Sequence, residues 1–189
     1  MGNMVAIVGR PNVGKSTLFN RLVGQRRAIV DDFSGVTRDR HYGEVEWCGR
    51  KFNIVDTGGF VTNSADVFEA AIRDQVKIAI NEADLIYFMV DVTTGITDLD
   101  SHIADLLRRS KKQVYVVVNK VDNSQRVYEA SVFYGMGFDT LYTLSSVSGS
   151  GTGELLDDTM EFLKPELISE TEGADDDVRS EEHTSELQS

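Results

Sequence analysis

The sequence predicts an α/β protein with a doubly wound, mostly parallel six-stranded sheet and one antiparallel edge strand. Apolar runs of strand length alternate along the chain with segments that have helical spacing. The runs 85–90 and 113–118 are almost continuously apolar, which is typical of parallel strands buried on both faces. A glycine-bounded loop at 9–16 separates the first strand from the first helix, so we expect ligands at the carboxyl ends of the strands.

The first part of the chain predicts a strand, a helix and a hairpin. Alternation over 42–48 and a Gly-Arg turn at 49–50 indicate the hairpin, which supplies the antiparallel edge. Residues 24–41 are polar, charged and turn-rich, and we interpret most of them as a loop that orders on demand. The predicted elements are a strand at 5–8, a helix at 17–23 and hairpin strands at 42–48 and 51–55.

The second part repeats strand and helix in alternation. A helix from 65 to 80 has one apolar face, and the helix that begins near Asp98 directs Ile103, Leu106 and Leu107 inward. The remaining predicted elements are strands at 85–90, 113–118 and 139–144, a short helix at 126–134 and a last helix at 154–163.

Charge is unevenly placed along the 189 residues, whose net charge is −12. Residues 165–189 carry 9 acidic side chains and 1 basic one, whereas residues 1–164 carry 22 and 18. A body so close to neutral argues against non-specific nucleic-acid binding, and we expect no DNA partner. The lone Cys48 excludes an internal disulfide, and no apolar run approaches the length of a membrane span. We therefore expect a cytoplasmic protein without a membrane partner.

Three regions follow from this pattern. Residues 1–165 form one domain, and residues 166–178 are charged and nearly free of apolar side chains, which predicts a disordered acidic linker. Residues 179–189 resemble the in-frame translation of a sequencing-library adapter, so we interpret them as an artefact. The alternative is a natural acidic tail.

Residues 9–16, called the phosphate loop below, carry the pattern G-x-x-x-x-G-K-[ST] between a strand and a helix. Backbone N–H groups and the helix dipole favour an anion there. Lys15 would place a charge on the β- and γ-phosphates, and the Ser16 hydroxyl would coordinate Mg²⁺. This predicts a nucleoside triphosphate site. Its residues are Gly9, Arg10, Pro11, Asn12, Val13, Gly14, Lys15 and Ser16, with Thr17 next in the helix.

Two further segments have the chain order that such a site needs. Asp56 can hold Mg²⁺ through a water, and the N–H of Gly58 or Gly59 in the Asp56-Thr57-Gly58-Gly59 stretch can reach a γ-phosphate. An ordinary turn is the alternative for that stretch. Thr37 could offer its hydroxyl to Mg²⁺ and its N–H to the γ-phosphate, although a solvated loop threonine would look the same.

Residues 119–122, Asn-Lys-Val-Asp, are called the tetrad below and follow a buried strand. The Asp122 carboxylate can accept from N1–H and the exocyclic amine of guanine, a donor pair that adenine lacks. The Lys120 stem can lie along the base, and Asn119 can tie neighbouring loops together. The alternative is an Asp122 N-cap on the next helix. In Ser145-Ser146-Val147 a backbone N–H could meet the guanine carbonyl, or the segment is simply a turn.

In this order the segments resemble the translation-factor-like P-loop GTPases, and in particular the N-terminal G domain of the EngA (Der) family of tandem GTPases. The resemblance covers about residues 3–165 and is carried by residues 9–22, the stretch 35–40 (Gly-Val-Thr-Arg-Asp-Arg), residues 56–59, the stretch 88–91 (Phe-Met-Val-Asp) and the tetrad. It implies a bacterial, Mg²⁺-dependent GTPase that converts GTP to GDP in large ribosomal subunit assembly, with Lys15, Thr37 and Gly59 in catalytic roles. Ser145-Ser146 departs from the usual Ser-Ala of the family.

The family also implies a second G domain and a KH-like domain after an acidic linker, neither of which this sequence contains. Two other functions stay open: a module that senses GTP or GDP without catalysis, and a related G domain that serves tRNA modification, iron transport or membrane-linked signalling. Turnover above background phosphate release would separate the first of these from a GTPase.

Water activation is the remaining question, because Phe60 stands where many GTPases have a Gln. Related G domains with Asn at the position of Asn12 use its side-chain carbonyl to hold K⁺, and carbonyls from 31–37 would complete the cage. The alternative for Asn12 is a side chain that stabilises its own loop. We predict that K⁺, and not Na⁺, accelerates turnover.

Overall fold

The strands and helices alternate as the sequence predicts, in a computed structural model that describes residues 3–24, 41–58 and 65–168. The strands are β1 (Met4–Val8), β2 (His41–Trp47), β3 (Arg50–Asp56), β4 (Leu85–Asp91), β5 (Gln113–Asn119) and β6 (Leu141–Thr143). The helices are α1 (Lys15–Val23), α2 (Ala65–Glu82), α3 (Asp98–Ser110), α4 (Ser124–Glu129) and α5 (Thr152–Leu163), with a 3₁₀ helix at Ala130–Met136.

The six strands form one sheet in the order β2-β3-β1-β4-β5-β6. All its pairs are parallel except β2–β3, which are the two strands of the hairpin. The prediction of a mostly parallel sheet with one antiparallel edge strand is therefore confirmed.

Strand β4 shows why its sequence is continuously apolar. Ile86, Phe88 and Val90 belong to the hydrophobic cluster that includes α2 and α3 side chains. Leu85, Tyr87 and Met89 belong to the cluster on the other face, with α1 and α5. Alternating residues of one strand thus enter two separate cores, and every residue of β4 is buried.

The segment 126–134, predicted as one helix, differs from the prediction. It begins at Ser124, is α-helical only to Glu129 and continues as the 3₁₀ helix. The buried side chains of that 3₁₀ helix are Ala130, Phe133 and Met136, at intervals of three residues. That spacing fits a helix with three residues per turn, so packing against the sheet favours the tighter form.

Helix α5 is held to the sheet by polar atoms as well as by apolar packing. Tyr87 and Thr159 share a hydrogen bond of 2.6 Å, the Tyr142 hydroxyl donates to Asp158 Oδ2 at 2.5 Å, and Trp47 Nε1 donates to Asp157 Oδ1 at 2.7 Å. Burial raises the pKa of Tyr87, so its hydroxyl stays a neutral partner.

The chain after α5 lies on the turn of the β2–β3 hairpin. Leu167 forms an antiparallel bridge with Arg50, and the Ile168 N–H donates to the Gly49 carbonyl at 2.8 Å. The first residues of the predicted linker, 166–168, are therefore attached to the domain, while 169–178 and the tail lie outside the described residues. Within the described ranges, no helix has the length and apolar character that crossing a membrane requires.

Candidate functional site

A cleft of about 430 Å³ lies at the carboxyl ends of β1, β3 and β5, where the phosphate loop, the end of β3 and the tetrad meet. Sequence motifs that are far apart in the chain are brought together here because parallel strands end at the same edge of the sheet. The cleft is lined by Pro11, Asn12, Gly14, Lys15, Ser16, Thr17, Gly58 and Lys120. All eight of these residues lie in the predicted motifs or directly after them.

Gly14 joins the phosphate loop to α1 in a conformation that requires glycine. Its φ of 104° lies in the left-handed region, and a Cβ there would lie 2.2 Å from Asn119 Nδ2. The loop and the tetrad can approach each other only because this side chain is absent.

Lys15 is buried in the loop that it serves, with 7% of the residue exposed. Its Nζ donates to the Gly9 carbonyl at 2.7 Å and to the Arg10 carbonyl at 2.8 Å. Burial lowers its pKa to about 8, although the nearby Asp56 carboxylate opposes this change. Neutral carbonyls thus hold a cation that an anionic ligand could attract away from them.

The end of β3 offers oxygen ligands beside the phosphate loop. The Ser16 hydroxyl donates to Asp56 Oδ2 at 3.0 Å, and the Gly58 N–H donates to Asp56 Oδ1 at 2.9 Å. The neighbouring Thr57 hydroxyl instead donates to the Ile7 carbonyl at 2.7 Å, so its role here is structural. A hydroxyl and a carboxylate at this spacing suit Mg²⁺, which prefers oxygen donors. Thr37, Gly59 and Phe60 lie outside the described residues.

Asn119 connects the two ends of the cleft. Its Nδ2 donates to the Val13 carbonyl at 2.7 Å, and its Oδ1 accepts from both the N–H and the hydroxyl of Ser146 at 2.9 Å. Only 3% of Asn119 is exposed. The structure thus shows the tie between neighbouring loops that the sequence predicts, and Ser146 adds a bond that an alanine there could not make.

Asp122 leaves its carboxylate available to a ligand. Asn123, not Asp122, caps α4, because Asn123 Oδ1 accepts from the Arg126 N–H at 3.0 Å. The Asp122 side chain is 58% exposed, and only its Oδ2 is engaged among the described residues, by a long hydrogen bond of 3.4 Å from Arg126 Nη1. The alternative interpretation of Asp122 as an N-cap is therefore wrong.

The segment after β6 uses its first two N–H groups internally. Ser145 N–H donates to the Ser150 carbonyl at 2.9 Å, and Ser146 N–H is taken by Asn119. Within the described residues, the N–H of Val147 makes no hydrogen bond. A backbone donor for guanine is available here at Val147 without the loss of an existing bond.

Two arginine side chains brace these loops, and no sequence motif indicated their partners. Arg10 donates to the Thr94 hydroxyl at 2.6 Å and lies 3.4 Å from Asp100, which is fully buried. Arg21 of α1 donates to the carbonyls of Ser146 and Val147. Each arginine is 84 to 126 residues away from its partners in the chain, so no local sequence pattern predicts these contacts.

Comparison with known proteins identifies the family. The family model described as "50S ribosome-binding GTPase" matches residues 4–120. The chain belongs to that family. Curated relatives named GTPase Der are 59% identical over 166 residues in Cytophaga hutchinsonii and 60% over 166 residues in Porphyromonas gingivalis. Each alignment covers 88% of this chain and 38% of the relative, so the chain spans less than half of the Der proteins that it matches.

Solved structures show the same fold. An Aquifex aeolicus Era variant bound to GDP and AlF₄⁻ aligns with a TM-score of 0.70 and 29% identity, covering 88% of this chain and 58% of that one. The G domain of the T. maritima FeoB iron transporter aligns with a TM-score of 0.63 and 26% identity, covering 85% and 98%. This member of the 50S ribosome-binding GTPase family therefore has a P-loop GTPase domain.

Proposed function

We propose that this chain hydrolyses GTP to GDP and phosphate as a switch domain in the assembly of the bacterial large ribosomal subunit. The observation that carries the proposal is the Asn119 tie, which joins the phosphate loop to the tetrad through the Val13 carbonyl. Phosphate binding and base recognition are thereby built into one rigid frame. The rest of the family's machinery follows from residues around that frame.

At the phosphate end, Lys15 would exchange the carbonyls of Gly9 and Arg10 for phosphate oxygens. The exchange is favourable because charge-assisted hydrogen bonds are stronger than bonds to neutral carbonyls. The α1 N-terminus begins at Lys15 and adds the field of its unpaired N–H groups.

Ser16 and Asp56 would hold Mg²⁺, together with Thr37 from outside the described residues. Their present contact of 3.0 Å shows that hydroxyl and carboxylate already converge on one point. The bound ion would neutralise charge that develops on the β- and γ-phosphates. Release of Asp56 Oδ2 from Ser16 is the rearrangement that this chain itself must make.

At the base end, the exposed Asp122 carboxylate would accept the two guanine donors, and Lys120 would lie along the ring. The Val147 N–H, or those of Ser145 and Ser146 after exchange, would donate to the guanine carbonyl oxygen. Arg21 supports this segment by holding the carbonyls of Ser146 and Val147.

Measurement of GTP turnover tests the proposal. Phosphate release by the wild-type chain should require Mg²⁺ and stop when EDTA is added. Lys15→Ala should lower GTP affinity by about 100-fold or more because the site loses its mobile cation. Lys77→Ala, which removes an equal charge from an exposed position on α2, should leave both unchanged. GTP binding without turnover above background would favour the non-catalytic sensing module instead.

Asn12 would supply a K⁺ ligand, in line with the Asn at this position in related G domains. Its φ of 68° is left-handed, it is exposed, and among the described residues its side chain makes no hydrogen bond. That finding favours a ligand role over a loop-stabilising one. Turnover should rise in KCl relative to equal NaCl for the wild type and not for Asn12→Ala. Equal rates in both salts, or a K⁺ effect that survives Asn12→Ala, would remove Asn12 from catalysis.

The proposal of a ribosomal role rests on the family description and on the names of the Der relatives. The chain covers 38% of the length of such a relative, so the role of this portion needs its own test. Co-sedimentation with 50S subunits, in GTP and then in GDP, tests whether this portion binds on its own. Binding that depends on nucleotide would support the role, whereas equal recovery in both nucleotides would contradict a switch.

A further inference from the structure

At the end of β4, both carboxylate oxygens of Asp91 accept hydrogen bonds within the protein. Its side chain is 4% exposed, and Oδ2 accepts from Lys120 Nζ at 2.7 Å. Oδ1 accepts from the Thr93 N–H at 2.8 Å and from the Thr93 hydroxyl at 2.6 Å. The local hydrogen bonds from Thr93 thus orient the carboxylate independently of Lys120.

Lys120 needs such a partner, since its side chain is 40% exposed and its four-carbon stem is flexible. Its backbone adopts a left-handed φ of 66°, and its Nζ also donates to the Asn12 carbonyl at 3.1 Å. In the described part of the chain, Asp91 is the one carboxylate within ion-pair distance of Lys120. The ammonium is therefore held between the end of β4 and the phosphate loop.

Because the ammonium of Lys120 is held at a fixed place, its alkyl stem has fewer accessible positions. Lys120 lines the nucleotide cleft, and its alkyl chain must lie beside the base if the tetrad reads guanine. A free lysine would lose rotamer entropy on binding, which lowers affinity, whereas a lysine already held at its end loses less.

We propose that Asp91 is a positioning residue for guanine-nucleotide binding, which acts by holding Lys120 in the orientation that the base requires. The inference rests on the proposed base-reading role of the tetrad. Asp91 itself does not touch the nucleotide, so its effect must pass through Lys120.

Burial raises the pKa of Asp91, but the hydrogen bonds from Lys120 and Thr93 outweigh burial and leave its pKa below the usual range. The carboxylate is therefore ionised at neutral pH. Asp91→Asn removes its negative charge and keeps a side chain of the same size and shape.

A double-mutant cycle on GDP affinity tests this assignment. Asp91→Asn should lower GDP affinity about tenfold, with most of the change in the dissociation rate. Lys120→Met keeps the length of the stem without its charge, and the double variant should bind no more weakly than Lys120→Met alone. Asp98→Asn, an equal charge change at an exposed position of α3, should bind GDP like the wild type.

Three results would overturn the proposal: unchanged affinity in Asp91→Asn, additive losses in the double variant, or a loss that Asp98→Asn shares. Thermal unfolding without nucleotide supplies the structural readout, and an affinity loss that disappears after correction for the folded fraction would also overturn it. A wild type that binds ADP as tightly as GDP would instead refute the base-reading role of the tetrad, which keeps the two failures distinct.

Discussion

The two ends of the nucleotide cleft are held in different ways. At the base end, Asn119 is buried, and its side chain is bonded to the Val13 carbonyl and to Ser146. At the phosphate end, Lys15 and Ser16 bond to protein oxygens that a triphosphate and its metal would have to replace. The hydrogen bonds of Asn119 to Val13 and Ser146, called the frame below, hold the base end together without a ligand, whereas those of Lys15 and Ser16 would be replaced by a bound ligand.

This difference separates residues whose loss damages the fold from residues whose loss changes only binding. Frame residues are buried and have all their hydrogen-bond partners within the protein, so the effect of their substitution should appear first in the free energy of unfolding. Residues that exchange partners should be measured by affinity. We expect the largest effects from substitutions in the frame.

Asn119→Ala should break the frame. It leaves the buried Val13 carbonyl and the Ser146 N–H without partners, and each buried unsatisfied group costs about 1–3 kcal/mol. We expect a fall of about 4 kcal/mol in the free energy of unfolding, measured by urea denaturation, and loss of GTP binding. Asn123→Ala, which removes only the exposed cap of α4, should cost about 1 kcal/mol. Equal costs would show that Asn119 is not part of a frame.

Asp100→Ala should loosen the phosphate loop from outside the cleft. Asp100 pairs with Arg10 and also accepts from the Thr97 N–H in the capping box of α3. Loss of both should lower the free energy of unfolding by about 3 kcal/mol. Asp98→Ala, on the first turn of the same helix, removes only a favourable dipole interaction of about 0.5 kcal/mol. A loss in Asp100→Ala no greater than in Asp98→Ala would contradict the bracing role.

Asp122→Asn should change binding without changing stability. Its side chain is 58% exposed, so we expect less than about 0.5 kcal/mol in unfolding. GTP affinity should fall by about 100-fold, or about 2.7 kcal/mol, and XTP affinity should rise because an amide can donate to the second carbonyl of xanthine. Competition among GTP, XTP and ATP measures this. Retained preference for GTP would exclude Asp122 as the base reader.

The pH dependence of affinity should report the exchange of Lys15. Its pKa is about 8 without ligand, and phosphate charges must raise that value in the complex. Binding then takes up a proton above pH 8, so GTP affinity should be flat below pH 8. Above it, affinity should fall by up to about tenfold per pH unit. Lys15→Arg stays charged in this range, and its affinity should lack this slope. A slope that persists in Lys15→Arg would originate elsewhere, for example in the guanine ring.

The order of elements and the location of the cleft were predictable because they depend on local patterns. Two examples can be recognised without any knowledge of tertiary contacts: the apolar run of β4 and the strand-loop-helix context of residues 9–16. The 3₁₀ helix was missed although its three-residue burial period is present in the sequence. An α-helical interpretation of Arg126 and its neighbours is the more frequent outcome for such a segment, and packing overrode it.

The braces could not be predicted, and the reason is physical. Arg10 with Asp100, and Asp91 with Lys120, are joined only by the crossover geometry of the sheet. Charged residues at such separations are ordinarily solvated, so a sequence gives no preference for one partner over another. Asp91 was visible as the end of a motif, but its bond to Lys120 required the registered pairing of β4 with β5, in which Asp91 lies opposite Asn119.

The attachment of residues 167 and 168 to the hairpin turn bears on how this domain would respond to mechanical load. A pull on the downstream chain first opens the antiparallel bridge between Leu167 and Arg50, which includes the hydrogen bond from the Ile168 N–H to the Gly49 carbonyl. Helix α5 comes next, and its side-chain bonds to the sheet through Tyr87, Tyr142 and Trp47 would be loaded together. We expect a weak first event of a few residues and then a much stronger one. Tension applied to the downstream chain would thus open the contact at the hairpin turn before it reaches α5.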